Sequence, residues 1–242
     1  MKHFRYAHRG LHDAALGVPE NSLAAFRRAA EHGFGSELDV HLLADGALAV
    51  LHDSALRRMT GRDGVVEDLT APQLREYALG GTAETIPQFS EVLDVYEGTG
   101  LPLCVELKSF RDDYDALTAR AVEELDRHGV PFVMESFDPH CLLWLKLNRP
   151  EITRGQLAQD FLRPGWSSGL GAEMDRRLTD MAFNAETQPH FVSYQYDHRD
   201  ADALRRVKET GVEIFYWTIR SREDLARAEA EGAQAIFEGF VP

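Results

Sequence analysis

The chain has 242 residues, which suits one large domain or two small ones, and its apolar content of 44% is enough for a sizeable core. The formal net charge of −14 argues against binding to nucleic acid or to an anionic membrane, because both favour a basic surface. The N-terminus has no apolar signal core, and no apolar run approaches the roughly 20 residues that span a bilayer. We therefore expect a globular protein with no nucleic-acid partner and no stable membrane insertion.

The two cysteines, Cys104 and Cys141, stand in apolar surroundings and have no CxxC spacing. Redox and zinc motifs usually place cysteines in such close pairs, so we interpret both as reduced thiols of the core. Reduced thiols are typical of cytoplasmic proteins, and the cytoplasm is the predicted location.

The first elements are a short strand over residues 4–8 and a helix that starts at residue 23. Either Asn21 or Ser22 is a suitable N-cap for this helix, and Gly33 is a natural residue to follow its last turn.

A β-hairpin is predicted over residues 36–53, and it carries the most informative polar residues. Its Asp45-Gly46 pair favours a two-residue type I′ turn, since that turn needs positive φ at both central positions. Pairing the two arms around such a turn sets His52 opposite Asp39, with Glu37 on the same face. Two carboxylates and one imidazole on one face suggest a bound metal ion, and a surface hairpin with solvated polar residues is the alternative.

The segment at about 54–99 has a weaker pattern, with short helical stretches near 70–78 and 88–97. Glycines interrupt it repeatedly, so we interpret most of it as a small insertion, or cap, rather than as a separate domain. Residues 1–242 are then one domain.

After residue 102, strands and helices alternate regularly. Strands are predicted over residues 103–107, 132–135, 153–158, 191–194, 213–218 and 235–237, and helices near residues 113–128, 139–148, 173–186, 200–210 and 221–231. The strand at 4–8 and the first arm of the hairpin bring the number of strands to eight. Eight β/α units without a dinucleotide-binding glycine motif favour an α/β fold of the closed TIM (β/α)8 type, with a small insertion after the second-strand hairpin.

In a TIM barrel, the active site lies at the C-terminal ends of the strands. Those ends carry the polar or aromatic residues His8, Arg9, Glu37, Asp39, Glu106, Lys108 and Trp217. His52 reaches the same level on the returning arm of the hairpin. A single strand-end glutamate such as Glu106 is usually a salt-bridge partner, but three acids from two strands beside two histidines point to a site.

The residue types at these ends indicate a chemistry. Three carboxylates without a cysteine or paired-histidine set favour a hard cation, Ca²⁺ or Mg²⁺, over zinc. His8 and His52 remain available for proton transfer. With Arg9 and Lys108 as two further cations, the group suits an anionic phosphoester from which an oxygen leaves.

A series of short motifs spans residues 8–218: His8-Arg9-Gly10, Pro19-Glu20-Asn21-Ser22, Glu37-Leu38-Asp39, His52-Asp53, Glu106-Leu107-Lys108, Ser136-Phe137 and Trp217-Thr218. Each motif is weak alone, but in this order the set resembles the glycerophosphodiester phosphodiesterase family. The resemblance implies a TIM barrel with a small insertion after the second histidine. It also implies that a small molecule, a glycerophosphodiester, is cleaved to glycerol 3-phosphate and an alcohol.

Site roles follow from the resemblance by position. Glu37, Asp39 and Glu106 correspond to the ligands of one divalent cation, Ca²⁺ or Mg²⁺. His8 and His52 correspond to the general acid–base pair.

Further residues around the site are interpreted in the same way. Arg9 and Lys108 correspond to phosphate contacts, and Trp217 is either a wall of the substrate site or a buried aromatic of the barrel. Glu20 either braces the site or is a solvated carboxylate. Substrate preference is expected to depend on residues 54–99 and on the loop around Trp166, because barrel enzymes vary their loops above a fixed site.

Two positions depart from the family pattern. The family often ends its last strand with Thr-Asp, where this chain has Phe237-Glu238, and it often has Asn two residues beyond the Thr of the Trp-Thr pair, where this chain has Arg220. Neither departure falls on an inferred catalytic position, but both are expected to alter substrate fit or rim packing.

Three alternative functions fit these residues less well. A phospholipase C-like or sphingomyelinase D-like phosphodiesterase shares this barrel and part of its chemistry. A catalytically silent barrel that binds phosphodiesters has no need of both histidines and all three acids. An isomerase or aldolase barrel does not need the acidic group.

Overall fold

The structure, a computed structural model, describes residues 4–242 and consists of a closed barrel with helices around it. Its strands are β1 (Arg5–Ala7), β2 (Gly35–Leu42), β3 (Leu48–Val50), β4 (Leu103–Leu107), β5 (Phe132–Ser136), β6 (Arg154–Ala158), β7 (Phe191–Gln195), β8 (Glu213–Ile219) and β9 (Gln234–Phe237). All except β3, which runs antiparallel to β2, pair in parallel, and β1 closes the ring by pairing with both β2 and β9. The predicted TIM barrel is confirmed.

Helices form the connections between the strands. They are α1 (Leu23–Glu31), α2 (Arg57–Thr60), α3 (Phe89–Tyr96), α4 (Tyr114–His128), α5 (Pro139–Asn148), α6 (Ala172–Thr179), α7 (Asn184–Thr187), α8 (Asp202–Lys208) and α9 (Arg222–Ala230). The prediction of one continuous helix over residues 173–186 is wrong. Met181 has a left-handed φ of 51° and a buried side chain, so the chain leaves the helix there and forms α6 and α7 instead.

The turn between β2 and β3 is not the predicted two-residue turn. The Leu43 N–H donates to the Ala47 carbonyl (2.9 Å), which leaves residues 44–46 in the loop. Gly46 has a φ of 80°, whereas Asp45 does not have the positive φ that a type I′ turn requires. A three-residue loop that ends in a left-handed glycine is the next most common hairpin connection.

The extra loop residue shifts the register of the hairpin by one. Val40 pairs with Val50, and the Leu51 N–H donates to the Asp39 carbonyl (3.1 Å). Leu51, not His52, is therefore opposite Asp39, and the predicted pairing is wrong. His52 lies in a bend after β3, where the chain has left the ladder, and from there its side chain reaches the mouth of the barrel.

The residues between β3 and α3 form a small lobe with an apolar cluster of its own, which includes Leu51, Leu56, Val66, Leu74 and Ile86. A buried contact ties this lobe to β2, since both His41 Nδ1 and the Ser54 hydroxyl lie 2.7 Å from Glu67 Oε1. Helix α3, in contrast, packs within the cluster that surrounds β2 and β4. It is thus the helix that connects these two barrel strands.

Alternate side chains of β2 and β4 point to opposite sides of the barrel wall. Leu38 and Val105 are fully buried in the cluster shared with the surrounding helices. Successive side chains of a strand point to opposite faces. Glu37, Asp39 and Glu106 therefore point into the barrel.

No helix among residues 4–242 has the length and apolar character needed to cross a membrane. Cys104 and Cys141 are both buried, and neither is in a disulfide. The cytoplasmic location stays a prediction.

Aromatic rings fill the lower part of the barrel interior. Phe191 and Phe215 stack with their ring centroids 4.1 Å apart, and Tyr6 stacks on Phe215 at 5.8 Å. Gly155 of β6 makes room for them, because a Cβ atom at this position would lie 2.1 Å from the Phe191 ring.

The Gly155→Ala variant should lose about 1–3 kcal/mol of unfolding free energy, the usual cost of extra atoms in a packed core. Adding Phe191→Leu should recover part of that loss, because the smaller side chain leaves space for the new methyl group. Urea unfolding of the two single variants and the double variant measures the coupling. If the changes in unfolding free energy of the two single variants simply add up in the double variant, this account is wrong.

Candidate active site

Three carboxylates meet at the C-terminal end of the barrel. Glu37 and Asp39 lie on β2, and Glu106 on β4 is the register partner of Asp39. Oxygens of the three side chains lie within 4.8 Å of one another, and all three residues are buried. The structure thus brings together the three acids that the sequence singled out.

The crowding of the acids perturbs their pKa values. Burial, Asp39 and Glu106 raise the pKa of Glu37 well above its usual range. Burial raises the pKa of Glu106 to about 7, although the Lys108 ammonium opposes it. Burial alone would also raise the pKa of Asp39, but nearby cations, Lys108 first, hold it well below its usual range. The neighbouring cations therefore favour the ionised form of Asp39, but they do not offset the burial and repulsion that raise the pKa values of Glu37 and Glu106.

A tight turn after β1 directs Arg9 toward these acids. Arg9 has a φ of 52° and Gly10 a φ of 76°, and a Cβ on Gly10 would come within 2.8 Å of Ala25. The Arg9 backbone N–H donates to Glu37 (3.0 Å), and its guanidinium Nε lies 3.6 Å from Asp39. The turn thus supplies a backbone donor and a cation, and it requires glycine after the arginine.

Lys108 and Asn21 are further partners of the acids. Lys108 Nζ lies 2.7 Å from Glu106 and 3.1 Å from Asp39, and the Asn21 amide donates to Asp39 (2.8 Å). Lys108, predicted as a phosphate contact, lines the cavity but also bridges two carboxylates. The sequence predicts either Asn21 or Ser22 as the helix cap, and in the structure Ser22 has that role.

His8 follows β1 and is held by Glu238, which follows β9. Its Nδ1 lies 2.5 Å from one Glu238 oxygen, and Arg220 binds the other oxygen (2.7 Å). Burial alone would raise the pKa of Glu238, but hydrogen bonds from His12 and His8 lower it well below its usual range. An ionised carboxylate only accepts hydrogen bonds, so His8 Nδ1 is the donor. Its Nε2 then faces the acids, 3.9 Å from Glu37.

His52 is held in the same way by its neighbour Asp53. Nδ1 of His52 lies 2.6 Å from one Asp53 oxygen, and Arg58 binds the other at 2.5 Å. Burial would raise the pKa of Asp53, but the hydrogen bonds from Arg58 and His52 lower it to about 2, so His52 Nδ1 is also a donor. Burial lowers the pKa of His52 to about 4 and lowers that of His8 as well. Both imidazoles are therefore neutral at pH 7, each with an unprotonated Nε2.

Arg58 of α2 also links the small lobe to the turn after β1. Its guanidinium binds Glu20 (2.8 Å), and Glu20 in turn binds the Arg9 guanidinium (2.8 Å). Glu20 is thus a bracing residue rather than a solvated carboxylate. The chain of ion pairs joins the residue that holds His52 to the turn that carries Arg9.

The acidic group has the chemistry of a divalent cation site. Every donor in it is a carboxylate oxygen, the ligand type that hard cations prefer. The raised pKa values of Glu37 and Glu106 reflect like-charge repulsion and burial, and a bound cation would stabilise the ionised form of both. The residues present therefore fit a metal ion.

These groups lie at the edge of a cavity of about 1020 Å³ at the mouth of the barrel. Trp217 of β8 lines it as a half-buried ring, with the indole N–H donating to the Ser193 carbonyl (3.1 Å) and the ring 5.9 Å from that of Phe137. The role of Trp217 as a wall of the substrate site stays a prediction. Trp166 lines the cavity too, but no lining residue among the described part of the chain belongs to 54–99.

Two further acids near the site have no predicted role. Glu135 of β5 is the register partner of Glu106, and burial and Glu106 raise its pKa to about 8. Glu238 is one of the two departures from the family pattern. Both stand at strand ends, so the rule that found the other acids also applies to them.

Comparison with known proteins places the chain in a family. Residues 8–241 match the model of the glycerophosphoryl diester phosphodiesterase family. A glycerophosphodiester phosphodiesterase of Caldanaerobacter subterraneus is 29% identical over 245 residues, covering 98% of this chain and 93% of the relative. A glycerophosphodiester phosphodiesterase of Bacillus altitudinis is 32% identical over 168 residues, which is 65% of this chain and 67% of the relative.

A solved structure agrees with this result. The phosphodiesterase of Oleispira antarctica in complex with its product, sn-glycerol-3-phosphate, superposes with a TM-score of 0.79 at 25% identity, covering 97% of this chain and 92% of the other. The sequence match and the shared barrel lead to one conclusion: this chain belongs to the glycerophosphoryl diester phosphodiesterase family.

Proposed function

We propose that this protein hydrolyses glycerophosphodiesters to glycerol 3-phosphate and an alcohol. The observation that carries the proposal is the meeting of three buried carboxylates, two cations and two neutral imidazoles at one end of a cavity. This combination matches the needs of an anionic phosphoester, which requires charge stabilisation and proton transfer. The product bound by the Oleispira relative supports the same product here.

Glu37, Asp39 and Glu106 would hold one divalent cation, Ca²⁺ or Mg²⁺. When bound, such an ion polarises phosphoryl oxygens and offsets the charge that develops on them. Asn21 contributes by fixing the orientation of Asp39 through its amide. The position of Glu106, with an oxygen within 4.8 Å of those of Glu37 and Asp39, supports a role for this residue as a ligand. Burial raises its pKa to about 7, and a bound cation would favour its ionised form.

Arg9 and Lys108 would bind the phosphate. Both cations are largely buried beside the acids, where charge–charge interactions are stronger than in water. The Arg9 guanidinium is held from behind by Glu20, which keeps it pointed at the site. Trp217 would limit the position of the substrate on the side of β8.

His8 and His52 would divide the proton transfers. One withdraws a proton from the attacking oxygen, and the other supplies a proton to the leaving alcohol. In each, a carboxylate fixes the tautomer by accepting from Nδ1, so that Nε2 faces the reacting atoms. The base must be neutral before the reaction, and the low pKa values of both imidazoles meet that requirement. The acid must first bind a proton at Nε2, and the carboxylate that accepts from its Nδ1 stabilises the resulting imidazolium.

Activity should depend on a divalent cation. Purified protein should release glycerol 3-phosphate from glycerophosphocholine, lose the activity in excess EDTA, and regain it with Ca²⁺ or Mg²⁺. Glu106→Gln should weaken metal binding and lower kcat/KM by at least about 100-fold, since even partners of metal ligands are worth 10–100-fold. Glu123→Gln, on the exposed face of α4, is the matched control. Full activity in EDTA would refute the metal role.

Replacing either His8 or His52 by Ala should lower kcat by about 10²–10⁴-fold, the usual worth of a general acid or base. Metal affinity should change little, and the two losses should not add fully, because both groups serve one transition state. A nitrophenyl ester has a good leaving group and should rescue the variant that lacks the acid but not the one that lacks the base. His32→Ala, which removes an exposed imidazole, is the control. Losses of only a few-fold would exclude both roles.

Glu238 should act through His8 as a positioning residue. Glu238→Gln keeps an acceptor but removes the charge, so kcat should fall by about 10–100-fold while KM and metal affinity stay near their original values. Glu229→Gln, which removes a surface partner of Arg5, is the control. A higher KM with unchanged kcat would argue against a positioning role.

A further inference from the structure

Three side chains near the mouth of the barrel form a second group that has the composition of a metal site. One ring nitrogen each of His8 and His12 and one carboxylate oxygen of Glu238 lie within 4.8 Å of one another. Among residues 4–242, only this group and the three acids described above bring three such ligand atoms together. His12 has no part in the proposed reaction, so the group calls for an explanation of its own.

The backbone places these three residues side by side. The His8 N–H donates to the Phe237 carbonyl (2.9 Å), where β1 pairs with β9, so Glu238 follows directly beside it. A left-handed turn comes after His8, and within it the His12 N–H donates to the Gly10 carbonyl (2.9 Å). Both imidazoles therefore approach Glu238 from one short, hydrogen-bonded segment.

One oxygen of Glu238 is directed at both imidazoles. Its Oε2 lies 2.5 Å from His8 Nδ1 and 3.8 Å from His12 Nε2, whereas its Oε1 binds Arg220. A tetrahedral zinc ion, with bonds of about 2.0–2.1 Å, separates its ligand atoms by about 3.4 Å. The two observed distances lie on either side of this value, so side-chain movements of about 1 Å bring these atoms to zinc-binding distances.

The ligand types of this group differ from those of the acidic group. Imidazole suits zinc and other transition metals, and two histidines with one glutamate can bind zinc and leave a fourth position open. The acidic group offers only oxygens, which suit Ca²⁺ or Mg²⁺. The side chains of His8, His12 and Glu238 are 13%, 24% and 19% exposed, so an ion can reach them from solvent.

A metal ion bound here would change the tautomer of His8. In the structure Nδ1 donates to Glu238, and the unprotonated Nε2 faces the acids. A metal ion requires a nitrogen without a proton, so the single proton of the neutral imidazole moves to Nε2 when Nδ1 becomes a ligand. His8 Nε2 can then no longer accept a proton, and the N–H of a coordinated imidazole is a much weaker acid than an imidazolium. His8 would lose either of its proposed roles.

We propose that His8, His12 and Glu238 form an inhibitory site for zinc or a similar transition-metal ion, separate from the site of the cation that supports catalysis. Occupation of the inhibitory site holds His8 in the tautomer that cannot transfer the proton. The inhibition rests on the proposed function, because it acts through the role of His8 in the reaction. The binding of the ion does not.

Equilibrium dialysis against buffered Zn²⁺, with excess Mg²⁺ present for the acidic group, measures binding directly. The unmodified protein should bind a zinc ion whose affinity falls by at least about 100-fold in His12→Ala, since even partners of metal ligands are worth 10–100-fold. Thermal unfolding checks that this variant is folded.

His140→Ala is the matched control. His140 lines the cavity and pairs with the carboxylate of Asp138 (2.8 Å), but it belongs to neither group of three ligands found among residues 4–242. Its replacement should leave the zinc affinity unchanged. An equal loss of zinc affinity in both variants would overturn the inference.

The tautomer of His8 can be observed by NMR on protein with ¹⁵N-labelled histidine, because a ring nitrogen changes its chemical shift when it is protonated. The His8 signals are assigned by their absence from His8→Ala. They should show a protonated Nδ1 without zinc and a protonated Nε2 with zinc, and zinc should not change them in His12→Ala. A proton that stays on Nδ1 at saturating zinc would contradict the proposed mechanism of inhibition.

Activity links the site to catalysis. With glycerophosphocholine and Mg²⁺, saturating zinc should lower kcat by about 10²–10⁴-fold, the usual worth of a general acid or base. Each variant is compared with its own rate without zinc: His140→Ala should be inhibited like the unmodified protein, and His12→Ala should keep its rate at the same zinc concentration. Additional Mg²⁺ should not relieve the inhibition, because the two ions bind different groups.

The outcomes separate this inference from the proposed function. If zinc inhibits His12→Ala as strongly as the unmodified protein, or if Mg²⁺ relieves the inhibition, zinc acts at the acidic group; the inference is then wrong and the proposed function stands. Zinc binding that leaves kcat unchanged also refutes the inference. If no ester is hydrolysed with Ca²⁺ or Mg²⁺ in the absence of zinc, the proposed function is wrong, and dialysis and NMR still decide whether the zinc site exists.

Discussion

The burial of three carboxylates at one end of the barrel is the constraint on which the rest of the site depends. Such groups are costly to remove from water unless cations and hydrogen-bond donors surround them. Arg9, Lys108 and Asn21 supply these partners from three separate segments. Three features help to keep the acids together: the left-handed turn at Arg9, the glycine that follows it, and the closure of the ring by β1.

Much of the fold and the acidic group followed from the sequence because both rest on local periodicity. Regular alternation of strands and helices is enough to indicate a barrel. Within β2, side chains of residues two positions apart share a face, so Glu37 and Asp39 had to point the same way. Glu106 stands in the neighbouring barrel strand, and parallel strands bring their ends to one level. None of these inferences needed a tertiary contact.

Where the predictions failed, tertiary contacts decide the structure. Asp45-Gly46 is compatible with a two-residue or a three-residue loop. In the structure Asp45 also accepts from the Ala71 N–H, a contact that local sequence cannot reveal. Asn21 is a good helix cap by sequence, but its amide is used on Asp39 instead. Likewise, a helical pattern over residues 173–186 does not reveal that Met181 turns its side chain into the core.

The contact between His8 and Glu238 joins residues 230 positions apart in the sequence. During synthesis on the ribosome, β1 emerges before β9, so the edge of β1 that pairs with β9 stays unpaired until β9 completes the ring. The carboxylate that orients the first histidine emerges directly after that strand. A chain whose translation stops before residue 234 therefore lacks both the closing strand and the partner of His8, so an incomplete product is left with open strand edges and an unfinished site rather than a weaker enzyme.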